Sequence, residues 1–207
     1  MKSYCHIDFS TRRRKRFIQT LFYSSSKVRN SNILMLCGPD LASHVHDFRI
    51  VNPGAQSVKL NIYELNHKTY LKNINDAKNY NGIRFNIVNN NIRNAKIRRF
   101  VDLDFCSVLN NSFDIVEEMY NKMLNILPYK GKILNKHILV TFSLRNKQGI
   151  ILDEPIQKLC DLFGISNEFE KLDSFPKLNI MKHKNKDCMY SAYRDGSPMC
   201  TFSFQFK

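Results

Sequence analysis

No stretch of this 207-residue sequence approaches the roughly 18 consecutive apolar residues that a membrane-spanning helix requires. Residues 1–14 are polar and basic where a secretory signal peptide would need an apolar segment. We therefore expect a soluble protein with no membrane partner that stays in the cytoplasm, or in the host cytoplasm if it is viral. Because 43% of the residues are apolar and 12% are aromatic, the chain can build a core, which excludes a disordered or collagen-like protein.

Metal and disulfide motifs are absent from the sequence. None of the six cysteines is separated from the next by two to four residues, as a zinc knuckle would require, and a protein that is not exported has little use for a disulfide framework. The histidines show no metal-binding spacing beyond the pair His44 and His46. We therefore predict reduced, mostly buried cysteines and no metal site.

Acidic residues are scarce, with 18 against 32 lysines and arginines, and the net charge is +14. Residues 1–31 hold eight basic residues and one aspartate, so half of this excess (+7) lies in the first 31 residues. A basic run precedes a short amphipathic segment there, and we interpret residues 1–31 as a basic helical arm. The arm either solubilises the protein or follows the phosphates of a polyanion. The basic run consists of Arg12, Arg13, Arg14, Lys15 and Arg16.

Residues 32–207 form the second predicted unit, in which short apolar runs alternate with helix-like stretches. This alternation is typical of a parallel sheet with crossover helices. The predicted parallel strands cover residues 32–36, 57–65, 82–88, 99–105 and 136–144. The predicted helices cover residues 40–48, a segment that begins near 112, and residues 153–163. Residues 187–193 and 199–206 predict a closing antiparallel hairpin, so we expect an α/β fold with seven strands.

Polar side chains stand at the carboxyl ends of four predicted strands, where ligands of open α/β sheets bind. A carboxylate suits the two hydroxyls of a ribose, and this is the role we predict for Glu64. Asp102 and Asp104 share one face of their strand and could orient a nucleophile or hold a metal ion, although no third metal ligand is evident. Each acid could also be only a solvated or helix-stabilising charge. The strand-end residues are Cys37, Gly38, Asp40, Glu64, Asn89, Asp102 and Asp104.

The order of elements and these strand-end residues resemble the class I methyltransferases that use S-adenosylmethionine. That family has a Rossmann-like, mostly parallel seven-stranded sheet with a terminal hairpin and helices on both faces. The resemblance implies that S-adenosylmethionine is the cofactor and that the single glycine, Gly38, stands for the family's glycine-rich motif. It further implies that Cys37, Gly38, Asp40, Glu64 and Asn89 bind the cofactor. Asp102 and Asp104 would be the catalytic pair beside the transferred methyl group.

The basic charge adds nucleic acid as the expected partner. We expect a methyltransferase-like protein that acts on or at nucleic acid, which it contacts through the basic run at 12–16, through Arg98 and Arg99, and through Arg84, Arg93 and Lys96. No Gly-x-Ser-x-Gly or Walker-type motif argues for hydrolase or phosphotransferase chemistry instead. The alternative is a catalytically inactive methyltransferase-fold protein that binds nucleic acid or serves assembly in a virus or mobile element. The single glycine and the abundance of Asn, Lys and Ile favour that alternative.

Overall fold

The computed structural model describes residues 17–19, 21–23, 32–39, 41–51, 59–144, 153–174, 180–195 and 197–207. The strands are β1 (Asn32–Leu36), β2 (Lys59–Tyr63), β3 (Arg84–Val88), β4 (Phe100–Val108), β5 (Lys136–Ser143), β6 (Phe169–Lys171), β7 (Ile180–His183), β8 (Cys188–Asp195) and β9 (Ser197–Phe206). The helices are α1 (Leu41–Val51), α2 (His67–Ala77), α3 (Phe113–Leu124) and α4 (Asp153–Phe163). Short 3₁₀ turns cover Ile92–Asn94 and Leu109–Asn111.

The described strands form one sheet in the order β3-β2-β1-β4-β5-β9-β8-β7-β6. Strands β1 to β5 pair in parallel, and β9 joins β5 antiparallel and continues into β8, β7 and β6. The predicted mixed α/β class is therefore confirmed, including the hairpin of β8 and β9. The predicted count of seven strands is wrong, because β6 and β7 extend the sheet beyond the hairpin. Both are short, with three and four residues, and too short to show a clear alternating pattern.

Alternating side chains of the central strands fill two apolar layers, one on each face of the sheet. On one face, Leu34 and Val101 pack with the apolar stripes of α3 and α4. On the other face, Ile33 and Met35 pack with Leu41, Val45 and Phe48 of α1. Strand β5 is buried along its whole length, as expected for a central strand that has a neighbour on each side and a layer on each face.

The segment before β1 contributes to the second of these layers. Residues 17–19 and 21–23 are helical, and Ile18, Phe22 and Tyr23 are fully buried. The ring of Phe22 packs edge-on against Phe100 and His137 at centroid distances of 6.1 and 4.7 Å. This part of the predicted arm is therefore packed against the sheet. The basic run at 12–16 lies outside the described residues.

Four cysteines within the described residues, Cys37, Cys160, Cys188 and Cys200, are buried and form no disulfide, as predicted for them. Burial raises the pKa of the Cys160 thiol to about 11 and raises the pKa of the Cys188 and Cys200 thiols still further. Thiols with raised pKa carry little thiolate at neutral pH and react slowly. These cysteines therefore act as small apolar core residues.

Candidate functional site

The carboxyl ends of β2, β1 and β4 lie side by side at the point where the strand order reverses, and we call this the carboxyl rim. In the sheet, Met35 of β1 pairs with Ile62 of β2 and with Asp102 of β4. Two residues further along the three strands stand Cys37, Glu64 and Asp104. Since side chains two apart on a strand share a face, these three face the same side of the sheet as α1. The rim therefore brings together three of the predicted site residues.

Glu64 is buried, at 8% exposure, and its carboxylate is held by local backbone. Its Oε1 accepts a hydrogen bond from the backbone N–H of Asn66 at 2.8 Å, and its own N–H donates to the carbonyl of Val88 at 3.0 Å. The other carboxylate oxygen forms no hydrogen bond within the described part of the chain. Glu64 thus presents one fixed acceptor oxygen to a ligand, and this arrangement fits the hydroxyls of a ribose.

The side chain of Asn89 connects the end of β3 to the segment after β2. Its Nδ2 donates to the carbonyl oxygens of Glu64 and Leu65 at 2.7 and 3.3 Å, and its Oδ1 lies 3.1 Å from Nδ1 of His67. The amide is therefore engaged with the protein, and it fixes the backbone on which Glu64 stands. A direct contact of Asn89 with a cofactor stays a prediction.

Helix α2 holds the turn that follows β1. Gly38 has a φ of +54°, a conformation that glycine adopts without strain. Asn73 donates from Nδ2 to the carbonyl of Gly38 at 3.0 Å, and Lys72 donates from Nζ to the carbonyl of Pro39 at 2.7 Å. The carbonyl oxygens of the turn are therefore directed toward α2. Asp40, the predicted first-turn acid, lies outside the described residues.

A buried histidine links the two aspartates of β4. Nδ1 of His44 lies 3.3 Å from Oδ2 of Asp102, and its Nε2 lies 3.1 Å from Oδ2 of Asp104. Tyr23 donates its hydroxyl to Oδ2 of Asp102 at 2.5 Å, whereas Oδ1 of Asp102 is buried without a hydrogen-bond partner. A strand-centre acid is thus stabilised by two buried groups, Tyr23 and His44, from separate parts of the chain.

The two aspartates differ in their access to solvent. The side chain of Asp102 is fully buried, whereas that of Asp104 is 13% exposed and stands on the rim. An imidazole whose two nitrogens face two carboxylates donates to both only when it is protonated. Of the two aspartates, Asp104 is therefore the one that a ligand at the rim can reach. Asp102 lies in the interior and contacts His44 from there.

In the sequence, His44 stood out only through its spacing to His46, and Tyr23 did not stand out at all. A signal for His44 was present, because positions 41, 44, 45 and 48 fall on one helical face and the other three are apolar. A histidine in a buried helical stripe needs a polar partner. No comparable signal identifies Tyr23, since its partner Asp102 is 79 residues away.

Arg98 and Arg99 lie at the other end of β4, just before its first residue, Phe100. Five residues of extended chain separate Arg99 from Asp104, which corresponds to about 17 Å. The Arg99 guanidinium stands 5.7 Å from the ring centroid of Phe100, and Nε of Arg98 is buried without a partner. The structure therefore places the predicted cofactor residues at the carboxyl ends of the parallel strands and these two predicted nucleic-acid residues at their amino ends.

Arg93, another predicted phosphate contact, is engaged with acids of α3. Its guanidinium bonds to Asp114 and, at 3.0 Å, to Glu118. The hydrogen bond from Arg93 holds the pKa of the Asp114 carboxyl below its usual range. Arg93 therefore connects the loop after β3 to α3 in this structure.

Within the described residues, no group of three or more His, Cys, Asp or Glu side chains is arranged so that it could hold a metal ion. No helix among those residues is long and apolar enough to cross a membrane.

The strand order, the terminal hairpin and the flanking helices together give the chain the fold of class I methyltransferases. It is similar to the N-methyltransferase NodS from Bradyrhizobium japonicum WM9, with a TM-score of 0.52 and 12% identity over 96% of this chain and 97% of that chain. It is also similar to M. jannaschii TYW2 in complex with AdoMet, with a TM-score of 0.52 and 13% identity over 98% and 78% of the two chains. TrmN from Thermus thermophilus matches with a TM-score of 0.51 and 12% identity over 93% of this chain and 52% of that chain.

The likeness is one of structure. No protein-family model matches the sequence, and a search of curated proteins finds no match either.

Proposed function

We propose that this protein binds S-adenosylmethionine at the carboxyl rim and transfers its methyl group to nucleic acid. The observation that carries the proposal is the position of Glu64, whose anchored carboxylate stands beside the turn after β1 in a methyltransferase fold. The comparison structure of TYW2 was solved with AdoMet, which supports the same ligand class for this chain.

The residues of the rim fit this cofactor in charge and in hydrogen-bonding capacity. The free oxygen of Glu64 accepts hydrogen bonds from ribose hydroxyls, and Cys37 and Gly38 lie along the methionine end. Asn89 supports the site by holding the backbone of Glu64. When bound, S-adenosylmethionine supplies an electrophilic methyl group on a positively charged sulfur. Asp104 places negative charge at the same rim and favours that cation.

The chain's contribution to the reaction is positioning. Holding donor and acceptor in line at near-attack distance lowers the barrier without a covalent step. Asp104 orients the acceptor or the amine of the cofactor, and His44 fixes the rotamer of Asp104. Asp102 and Tyr23 in turn fix His44 from the buried side. In this proposal Asp104 is the catalytic residue, and Asp102 is a positioning residue.

The nucleic-acid part of the proposal rests on charge. A net charge of +14 attracts polyanions, and Arg98 and Arg99 add two guanidinium groups at one edge of the sheet. The methyl-accepting atom is left open, because the sequence has none of the signatures of base methyltransferases.

Calorimetry with S-adenosylmethionine tests the cofactor site. Glu64→Gln keeps an acceptor for the Asn66 N–H but removes the charge, so we expect affinity to fall about 10- to 100-fold, since charged hydrogen bonds contribute about 1.5–3 kcal/mol. Glu170→Gln, at an exposed acid on β6, is the matched control and should leave affinity unchanged. An absence of heat with the unmodified protein at millimolar ligand would contradict the proposal and support the inactive alternative.

A further inference from the structure

A cleft of about 660 Å³ opens at the amino ends of the parallel strands, opposite the carboxyl rim. We call it the β7–β9 cleft. Its walls are the carboxyl end of α4, the turn between β7 and β8, the end of β9 and the residue before β5. Its lining includes Lys182, Lys184, Lys186, Asp187, Phe206 and Lys207.

The cleft is strongly basic. Four lysines and one aspartate line it, and all five side chains are exposed. Within the described part of the chain, none of these lysines forms an ion pair, although Glu170 of β6 pairs in register with Lys182. Lys72, Lys122 and Lys158 elsewhere are each bonded to an acid on their own helix. The cleft therefore holds several ammonium groups whose charge is available to a ligand.

The turn that presents the lysines is held in place by buried polar contacts. Nδ1 of His183 accepts from the backbone N–H of Asn185 at 3.0 Å, which requires the proton on Nε2. Nε2 lies 3.0 Å from the carbonyl of Ser166 and donates to it. The backbone N–H of Gln205 donates to the carbonyl of Asp187 at 2.8 Å. Lys184 and Lys186 therefore project from a fixed backbone, which reduces the entropy lost on binding.

Basic residues continue along the same edge beyond the cleft. Lys59 and Arg84 begin β2 and β3, and Arg98 and Arg99 precede β4. Because the parallel strands all begin on this side, these cations line the amino ends of β3, β2 and β4. The carboxyl rim presents the acids Glu64 and Asp104, and Asp102 is fully buried behind them.

The cleft also offers groups that suit bases. Phe163, Phe204 and Phe206 form a ladder of rings with centroid distances of 4.6 and 5.3 Å. Phe206 is half-buried, with Tyr120 edge-on at 5.1 Å and Nζ of Lys136 5.8 Å from its ring centroid. Amide side chains of Asn135, Asn185 and Gln205 line the same space. Aromatic rings stack on unpaired bases, and amides form hydrogen bonds with base edges.

We infer that the β7–β9 cleft binds single-stranded nucleic acid, with its lysines on the phosphates and a base against Phe206. This inference rests on the nucleic-acid partner in the proposed function and names the surface that holds it. A concave cleft does not fit a flat bilayer, and a duplex leaves no base face free to stack. The cleft lies at the amino ends of the parallel strands, and the carboxyl rim lies at their other ends. The cleft therefore anchors the nucleic acid at nucleotides distant from the one that reacts.

Fluorescence polarisation with a labelled single strand of about 12 nucleotides tests the electrostatic part, with salt varied from about 50 to 300 mM. The full chain carrying Lys184→Gln and Lys186→Gln should bind about tenfold more weakly at 150 mM salt. The slope of log K against log salt should become shallower by about 1.4, because each phosphate contact contributes about 0.7. The matched control, Lys68→Gln with Lys78→Gln, removes the same charge from two exposed lysines outside the cleft, neither of which forms an ion pair among the described residues, and should change neither quantity.

Phe206→Leu tests the stacking part, since leucine keeps an apolar side chain in the half-buried position. Affinity should fall at least fivefold with an unchanged salt slope, because base stacking is independent of counterions. A duplex of the same sequence should bind more weakly than the single strand.

Three results would overturn the inference: equal losses in the cleft and control variants, unchanged binding in the cleft variants, or a duplex that binds as well as the single strand. Calorimetry with S-adenosylmethionine separates this inference from the cofactor proposal. The Lys184/Lys186 variant should bind the cofactor like the unmodified protein. If the unmodified protein binds cofactor but no single strand, the inference and the nucleic-acid partner both fail while the cofactor site stands.

Discussion

Acidification should destabilise this protein through one buried histidine, His137 of β5. Its Nε2 lies 2.7 Å from Oγ of Ser203, and its Nδ1 is buried without a hydrogen-bond partner. Phe22 covers the ring edge-on. A protonated ring here would bury a charge with an unpaired N–H, and this burial lowers the pKa of His137 to about 3.

The size of the effect follows from the difference between the folded and unfolded states. The unfolded chain takes up a proton near pH 6.5, whereas the folded chain does so only near pH 3. Stability from this residue is therefore complete above pH 6.5 and is lost as the pH falls toward 3. Between about pH 7.5 and 5, the free energy of unfolding should drop by about 2 kcal/mol, and by about 4 kcal/mol at pH 3.

Urea denaturation followed by circular dichroism measures this loss, since the chain has no tryptophan for fluorescence. His137→Gln should be less stable at pH 7.5 but should lose about 2 kcal/mol less than the unmodified protein between pH 7.5 and 5. His46→Gln, at an exposed position on α1, is the control and should keep the full pH dependence. If His137→Gln loses as much stability on acidification as the unmodified chain, the reasoning about its buried neutral ring is wrong.

Two further predictions concern the supports of the carboxyl rim. Tyr23→Phe removes the hydroxyl that donates to Asp102 and should lower the free energy of unfolding by about 1–3 kcal/mol in urea, because a buried carboxylate loses a donor; a change under about 0.5 kcal/mol would show that Asp102 does not depend on Tyr23. Asn66→Ala removes the side chain that caps α2 through the N–H of Thr69 and should cost about 1 kcal/mol. A thermal melt of this variant that matches the unmodified protein would argue against the cap.

The strands that sequence patterns predicted best are those that are buried on both faces. Strand β5 ends within a residue of its predicted end, and β1 has its predicted bounds, because continuous apolar runs mark both. Helix α2 was not predicted, since its sequence is polar and Asn73 is its one buried residue. Its place is set by hydrogen bonds to the turn after β1, a tertiary effect that no local pattern shows.

The candidate site was predictable in position but not in its contacts. Strand order alone brings the carboxyl ends of β2, β1 and β4 side by side. The position of Glu64 and Asp104 at the same rim therefore followed from the element order. The buried state of Asp102 did not, because it depends on Tyr23 and His44 from distant segments. Side-chain partners across 58 to 79 residues require the tertiary structure.

The buried residues before β1 set a limit on how the chain can be shortened for crystallisation. Ile18, Phe22 and Tyr23 fill space over the sheet, so a truncation that begins at Asn32 would leave His137 and Asp102 uncovered. The arginine-rich run ends at Arg16. A chain that starts at residue 17 therefore omits the basic run and keeps these buried side chains.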